Sequence, residues 1–161
     1  MQILADRKEI TQRLNAAVEY YLDPFHDPRV YWAKEVSFDA MTSHKIRVDY
    51  MLFEPENTDI SGLEHGVFKC FEVKSSVEDF RSEHGHNFIG DYNYYVMLPE
   101  VHEKVQDEID WYTGVLVPRG DGLASVRNAR KRRRTRSLAE MLFAMWRSSR
   151  RDLVKVQGGD F

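Results

Sequence analysis

FEVKSSVEDF, residues 71–80, changes period halfway along. From Phe71 to Lys74 polar and apolar residues alternate. Side chains two apart on a strand share a face. Glu72 and Lys74 therefore project together, while Phe71 and Val73 turn the other way into packing. Ser75 and Ser76 leave the strand, and at least one is placed to cap the short helix predicted over Val77–Glu83, which Gly85 interrupts. Asp79 falls in the first turn of that helix, where a negative charge suits the dipole.

Working upstream, Lys45–Phe53 reads as a strand with Ile46, Val48, Tyr50 and Leu52 on one face and Asp49 as a lone acid. Val30–Phe38 is an earlier strand. The EPENTDISGLEHG stretch between the second and third strands reads as a hairpin loop with a mobile tip. Ile10, Leu14, Ala17, Val18 and Tyr21 recur at helical spacing, which predicts a first helix from Asp6, as N-cap, to about Leu22. Asp23-Pro24 and Asp27-Pro28 stop it.

Downstream, Asn93–Leu98 reads as a buried strand ended by Pro99, followed by a helix over Pro99–Ile109 and a strand over Thr113–Val117. Leu123–Asn128 reads as an edge strand. Ser137 and Glu140 form a capping box for a final helix over 137–150, with Leu138, Met141, Leu142, Met145 and Ser149 on one face. The order predicts an α/β (α+β) domain with a mixed central sheet flanked by helices, and one domain over residues 1–161.

If the second and third strands pair, Asp49 sits beside Glu72. Two carboxylates side by side repel unless a cation lies between them. An all-oxygen ligand set favours Mg²⁺ or Mn²⁺, and the backbone carbonyl of Val73 is a further oxygen donor. Lys74 completes a hydrolytic set, because an ammonium beside a metal offsets charge developing on a phosphate. The plain alternative is a group of surface ion pairs on a solvated sheet face.

RVDY at 47–50 followed by FEVKSSVEDF at 71–80 resembles the PD-(D/E)XK nuclease superfamily. The string is most similar to the MmcB-like family of bacterial DNA-repair proteins and related phage-encoded homologues. There an Arg-x-Asp strand precedes Glu-x-Lys-Ser-Ser, an Asp-Phe opens the next helix, and a tyrosine-rich strand ends in proline, as YNYYVMLP does at 92–99. The resemblance covers roughly residues 30–118. It implies a restriction-endonuclease-like core and a Mg²⁺-dependent nuclease, with Asp49 and Glu72 as metal ligands and Lys74 as the catalytic lysine. The chain departs from the family after Phe80, where Gly-His-Asn-Phe replaces a lysine-tryptophan segment, and Val48 stands where the PD pair would have proline.

Many members of the superfamily carry another acid. Glu35 is the first candidate for a place near the metal, ahead of Glu9 and Glu19. Ser76, His86 and Asn87 are candidate nucleic-acid contacts, the latter two in a Gly-flanked loop. His84 and His86 form a His-x-His pair that raises zinc, but no third ligand of that class accompanies them.

The 161 residues are 42% hydrophobic and 30% charged, with a net charge of -3 and one cysteine, Cys70. A disulfide framework is excluded. No apolar run approaches the roughly 20 residues of a membrane span, and the first ten residues lack a signal-peptide core, so an intracellular (cytoplasmic) setting is expected. The charge is uneven. RNARKRRRTR at 127–136 carries seven Lys or Arg and no acid, against 16 basic and 26 acidic residues elsewhere. Arg130, Lys131, Arg132, Arg133, Arg134 and Arg136 are expected to form a phosphate-binding arm for DNA; the alternative is a flexible connector. The competing functions are a nuclease, a non-catalytic nucleic-acid-binding module that keeps the fold, and a scaffold acting through its last helix. The sequence leaves the oligomeric state open, a dimer included.

Overall fold

The computed structural model describes residues 2–158. Helix α1 (Gln2–Leu22) leads into strands β1 (Tyr31–Phe38) and β2 (Ile46–Glu54), a short helix α2 (Ile60–Glu64) and β3 (Val67–Lys74). Then come α3 (Val77–Arg81), β4 (Tyr92–Met97), α4 (Pro99–Val105) with a 3-10 turn, β5 (Gly114–Arg119), β6 (Gly122–Arg127) and α5 (Leu138–Gly158). The six strands form one mixed sheet in the order β1-β2-β3-β4-β5-β6. β3, β4 and β5 run parallel, and the other neighbours are antiparallel. Parallel neighbours need crossovers, which α3 and α4 supply on one face.

Helix α1 covers one face, where Leu14, Val18 and Leu22 pack on Tyr50, Phe71, Val96 and Leu116. The other face is shared. Met141, Ala144 and Met145 of α5 cover Val36, Val48, Met51, Phe68 and Cys70. Phe80, Val101 and Val105 of α3 and α4 cover Tyr95, Met97, Val115 and Val117. Among the described residues no helix is long and apolar enough to cross a membrane.

Four expectations change. Helix α1 is already formed at Gln2, so Asp6 lies within it and is not its cap. The loop after β2 contains α2. Helix α5 continues past residue 150 to Gly158, although Ser137 does cap it, its Oγ accepting from Glu140 N at 3.2 Å.

The fourth change matters most for the site. Ile46, Val48, Tyr50 and Leu52 do not share one face. Val48 and Met51 both face the α5 cluster, whereas Tyr50 and Leu52 face α1. Residues three apart cannot share a face on a regular strand. β1 switches in step, with Ala33 and Val36 both facing α5. Lys34 is opposite Tyr50 and Val36 opposite Val48, so the two switches lie side by side. Glu35, between them, holds a left-handed backbone at φ 50°, a costly conformation for a residue with a side chain. Helix α5 secures it. Ser148 Oγ donates to the Lys34 carbonyl, and Arg151 donates to the Glu35 and Lys34 carbonyls at 3.1 and 3.2 Å.

Candidate active site

Strands β2 and β3 pair from Glu54↔Val67 to Tyr50↔Phe71 and then part. One step further, the Asp49 carboxylate replaces the ladder, its Oδ2 accepting from Val73 N at 2.9 Å. The phase switch thus frees Asp49 from the regular alternation, and its side chain fills the split between the strands. Glu72 is on the neighbouring strand and fully buried; neither carboxyl oxygen has a well-formed hydrogen bond, and its polar neighbours are the Asp49 carboxyl and the Asn87 backbone N–H. Burial raises its pKa to about 9, and the adjacent Asp49 charge pushes the same way, opposed by the Lys74 ammonium. Burial also raises Asp49, against the pull of Val73 N–H and Lys74.

Lys74 is 2% exposed, and its Nζ donates to the His84 carbonyl at 2.7 Å. The surface-ion-pair alternative fails here, because Glu72 and Lys74 are both inside. Gly85, at φ 74°, completes the enclosure. A Cβ at that position would stand 2.6 Å from Lys74 Nζ and 3.4 Å from Glu72 Oε2. Only glycine combines that backbone with that close approach.

The three residues lie beside an open cleft of about 930 Å³, which Asp49, Val73 and Lys74 line. Thr11, Asn15 and Glu19 line this cleft from α1; His84, Gly85 and Asn87 line it from the loop after α3; Lys45 and Arg47 contribute cations. Of the α1 residues only Glu19 was marked in the sequence, as a lesser candidate acid; Thr11 and Asn15 were missed, although the signal was present. Thr11, Asn15 and Glu19 recur every four residues and so share a helix stripe, beside the buried Leu14–Val18 stripe. Glu19 is tied down rather than merely solvated, accepting from Lys34 Nζ at 3.5 Å and from the Tyr50 hydroxyl at 3.2 Å.

The remaining candidates divide. Glu35 lines the cleft but is half exposed and faces Arg47 at 4.0 Å. It does not complete a ligand set: among the described residues no three His, Cys, Asp or Glu side chains are grouped to hold a metal. Ser76 is the cap of α3, its Oγ accepting from Asp79 N at 3.0 Å, and not a free phosphate contact. Asp79 in turn accepts from Ser75 N and Oγ, at 2.9 and 3.2 Å. It thereby fixes the residue that follows Lys74. His86 is withdrawn from both proposed roles. One ring nitrogen is 2.7 Å from the Tyr95 hydroxyl and the other 2.8 Å from the Ser82 carbonyl. Asn87 lines the cleft while its amide holds the Arg47 carbonyl at 2.8 Å.

The basic segment is neither a free arm nor a loose connector. Its even-numbered arginines grip the body. Arg134 pairs with buried Asp91 at 3.2 Å, and Arg136 with Asp39 and Glu140 at 2.9 and 2.6 Å. Arg130 N and Arg132 N donate to the carbonyls of Tyr112 and Asp91, each at 2.8 Å. Arg134 and Arg136 are therefore occupied; Arg130, Lys131, Arg132 and Arg133 have no carboxylate partner among the described residues.

A fit to a divalent cation rests on the donors themselves. Glu72 presents two buried oxygens with no well-formed hydrogen bond, beside the second carboxyl group of Asp49. Such a pair is stable as two anions only with positive charge between them.

No protein-family model matches the chain, and no curated protein matches it. A protein of unknown function from Silicibacter pomeroyi has a similar structure, with a TM-score of 0.66 over 94% of each chain at 19% identity. At that identity the likeness concerns the fold alone.

Proposed function

We propose that the chain is a divalent-metal-dependent nuclease with a PD-(D/E)XK, restriction-endonuclease-like core, hydrolysing phosphodiester bonds in DNA. The observation that carries this reading is Glu72, a buried carboxyl group whose oxygens lack well-formed hydrogen bonds, set against Asp49 and beside a buried ammonium. Leaving a carboxylate unpaired inside a protein costs several kcal/mol. Without metal the group avoids that cost by keeping its proton, and a divalent cation in place of the proton would let it ionise beside Asp49.

Asp49, Glu72 and the Val73 carbonyl would hold Mg²⁺ or Mn²⁺, with solvent completing the shell. When bound, the ion supplies Lewis acidity toward a phosphoryl oxygen and lowers the pKa of a bound water. The rest is done by the chain. Lys74, fixed by the His84 carbonyl, supplies positive charge where negative charge grows on the attacked phosphate. Asp79 holds Ser75 and so sets the end of β3. Lys45 and Arg47 at the mouth attract the phosphate backbone. The motif resemblance adds a context of DNA repair, recombination or phage DNA metabolism, inside the cell.

The test is incubation with linear, circular, single- and double-stranded DNA in Mg²⁺ or Mn²⁺. Cleavage should need the metal and disappear in Lys74→Ala. Absence of cleavage of every form by folded protein would refute a nuclease. A second reading, a non-catalytic nucleic-acid-binding module, draws on the lack of a third grouped ligand side chain. Binding without cleavage in the same experiment would favour it.

A further inference from the structure

Residues 128–136 cross the ends of three strands. Arg130 N bonds Tyr112, two residues before β5; Arg132 N bonds Asp91, one residue before β4; and the Arg134 guanidinium lies 5.0 Å from the ring of Phe68, at the start of β3. All three are N-terminal ends of parallel strands. Lys74 is at the other end of β3, six residues from Phe68 and so roughly 20 Å away at about 3.3 Å per residue.

Two aromatic residues stand in this surface. Trp111 is 64% and Tyr112 44% exposed. The Arg130 guanidinium lies 3.6 Å over the Trp111 ring, and that of Arg132 5.2 Å from the Tyr112 ring. Lys131 and Arg133, the residues between the gripping arginines, are exposed. The acids beneath are engaged. Asp91 holds Arg134 and Phe68 N, while Asp110 accepts from Tyr112 N, Thr113 N and Thr113 Oγ1.

We propose that Arg130–Arg133 with Trp111 and Tyr112 form a pre-ordered basic and aromatic platform that binds a single strand of nucleic acid, at the end of the sheet opposite the cleft. Cations without a carboxylate partner, on a backbone already fixed by the Tyr112 and Asp91 carbonyls, meet phosphates with little ordering cost. The faces of Trp111 and Tyr112 not covered by these guanidinium groups add stacking that a strand with splayed bases can use and a duplex cannot. This inference rests on the nucleic-acid half of the function proposed above and not on the chemistry at Asp49, Glu72 and Lys74.

The experiment is fluorescence anisotropy with a labelled poly-dT oligonucleotide and a duplex, in chelator, across a salt titration. The single strand should bind more tightly. Lys131→Ala with Arg133→Ala should weaken binding and reduce the salt slope by about 1.4, at ~0.7 per phosphate contact on a single strand. Trp111→Ala should weaken binding by on the order of tenfold with the slope unchanged. The proposal is overturned if the oligonucleotide does not bind, if both platform variants bind as wild type, or if the duplex is preferred and Trp111→Ala is silent. Binding without cleavage in Mg²⁺ would remove the nuclease reading and leave the platform standing. Cleavage with platform variants of unaltered affinity would do the reverse.

Discussion

Glu72 is held in its protonated form up to about pH 9 in the folded chain, against an ordinary value of 4.5. With metal chelated, the folded state therefore binds one more proton than the unfolded state across that window. The stability this represents is complete below pH 4.5 and is lost as the pH rises toward and through 9. Glu72→Gln has no such proton to lose. In chelator, its melting temperature should fall less than that of wild type between pH 5 and pH 9. Parallel profiles would show that Glu72 is not buried as an unpartnered acid. Gly85 makes a second case at this scale. Gly85→Ala adds a Cβ 2.6 Å from Lys74 Nζ in a left-handed backbone. Strain of about 1–2 kcal/mol is expected in urea denaturation. Cleavage should fall further, by more than tenfold, because Lys74 must move. A variant that loses the stability yet cleaves like wild type would separate Lys74 from the chemistry.

At the scale of elements, the strap over residues 128–136 depends on Asp91, whose Oδ2 accepts from Phe68 N at 2.8 Å while Oδ1 faces Arg134 at 3.2 Å. Asp91→Ala orphans a buried N–H and a guanidinium that is four-fifths buried. Urea denaturation should show a loss of about 3 kcal/mol. Asp39→Ala removes a more exposed partner of Arg136 and should lose under about 1 kcal/mol. Equal losses would mean that Asp91 does not anchor the strap. This element also marks where sequence reading stops. The strands, the βα turn at Ser75-Ser76 and the Glu72–Lys74 face were legible, because period, capping and breaker residues are local signals. Arg136 has a local partner in Glu140, but its second partner Asp39 and Arg134's partner Asp91 were not legible, since they come from loops far away in the chain, Asp39 being 97 residues from Arg136. His86 was misread for a different reason: its partners Ser82 and Tyr95 are near in the chain, but the turn of the loop that brings both onto the ring leaves no periodic signal. The face switch at Glu35 and Asp49 was hidden too. A left-handed non-glycine residue leaves no mark in composition, and α5 supplies the bonds that hold it.

Across the whole molecule, the sheet face opposite α1 carries two apolar clusters, one under α5 and one under α3 and α4. Glu72 lies between them, with Cys70 of the first cluster two residues before it and Tyr95 of the second opposite it on β4. Once Glu72 is ionised, its repulsion with Asp49 acts at the junction of two packed layers, and a cation that takes the place of the proton should stabilise the entire fold. An ion that binds only the native state at a hundred times its dissociation constant contributes about 2.7 kcal/mol. For a chain of this size that corresponds to a rise of roughly 5–10 °C in melting temperature. Mg²⁺ or Mn²⁺ should give such a rise in wild type, and a chelator should reverse it. Glu72→Gln keeps the volume but removes a charge from the ligand set, so most of the rise should vanish. Lys74→Ala removes a neighbouring cation and keeps both carboxylates, so its rise should equal or exceed that of wild type even though its cleavage is lost. The opposite responses of the two variants separate a metal held by this pair from one bound elsewhere on an acidic surface, which would shift all three proteins alike. That uniform shift, or no shift in any of them, would end the assignment of Asp49 and Glu72 as metal ligands.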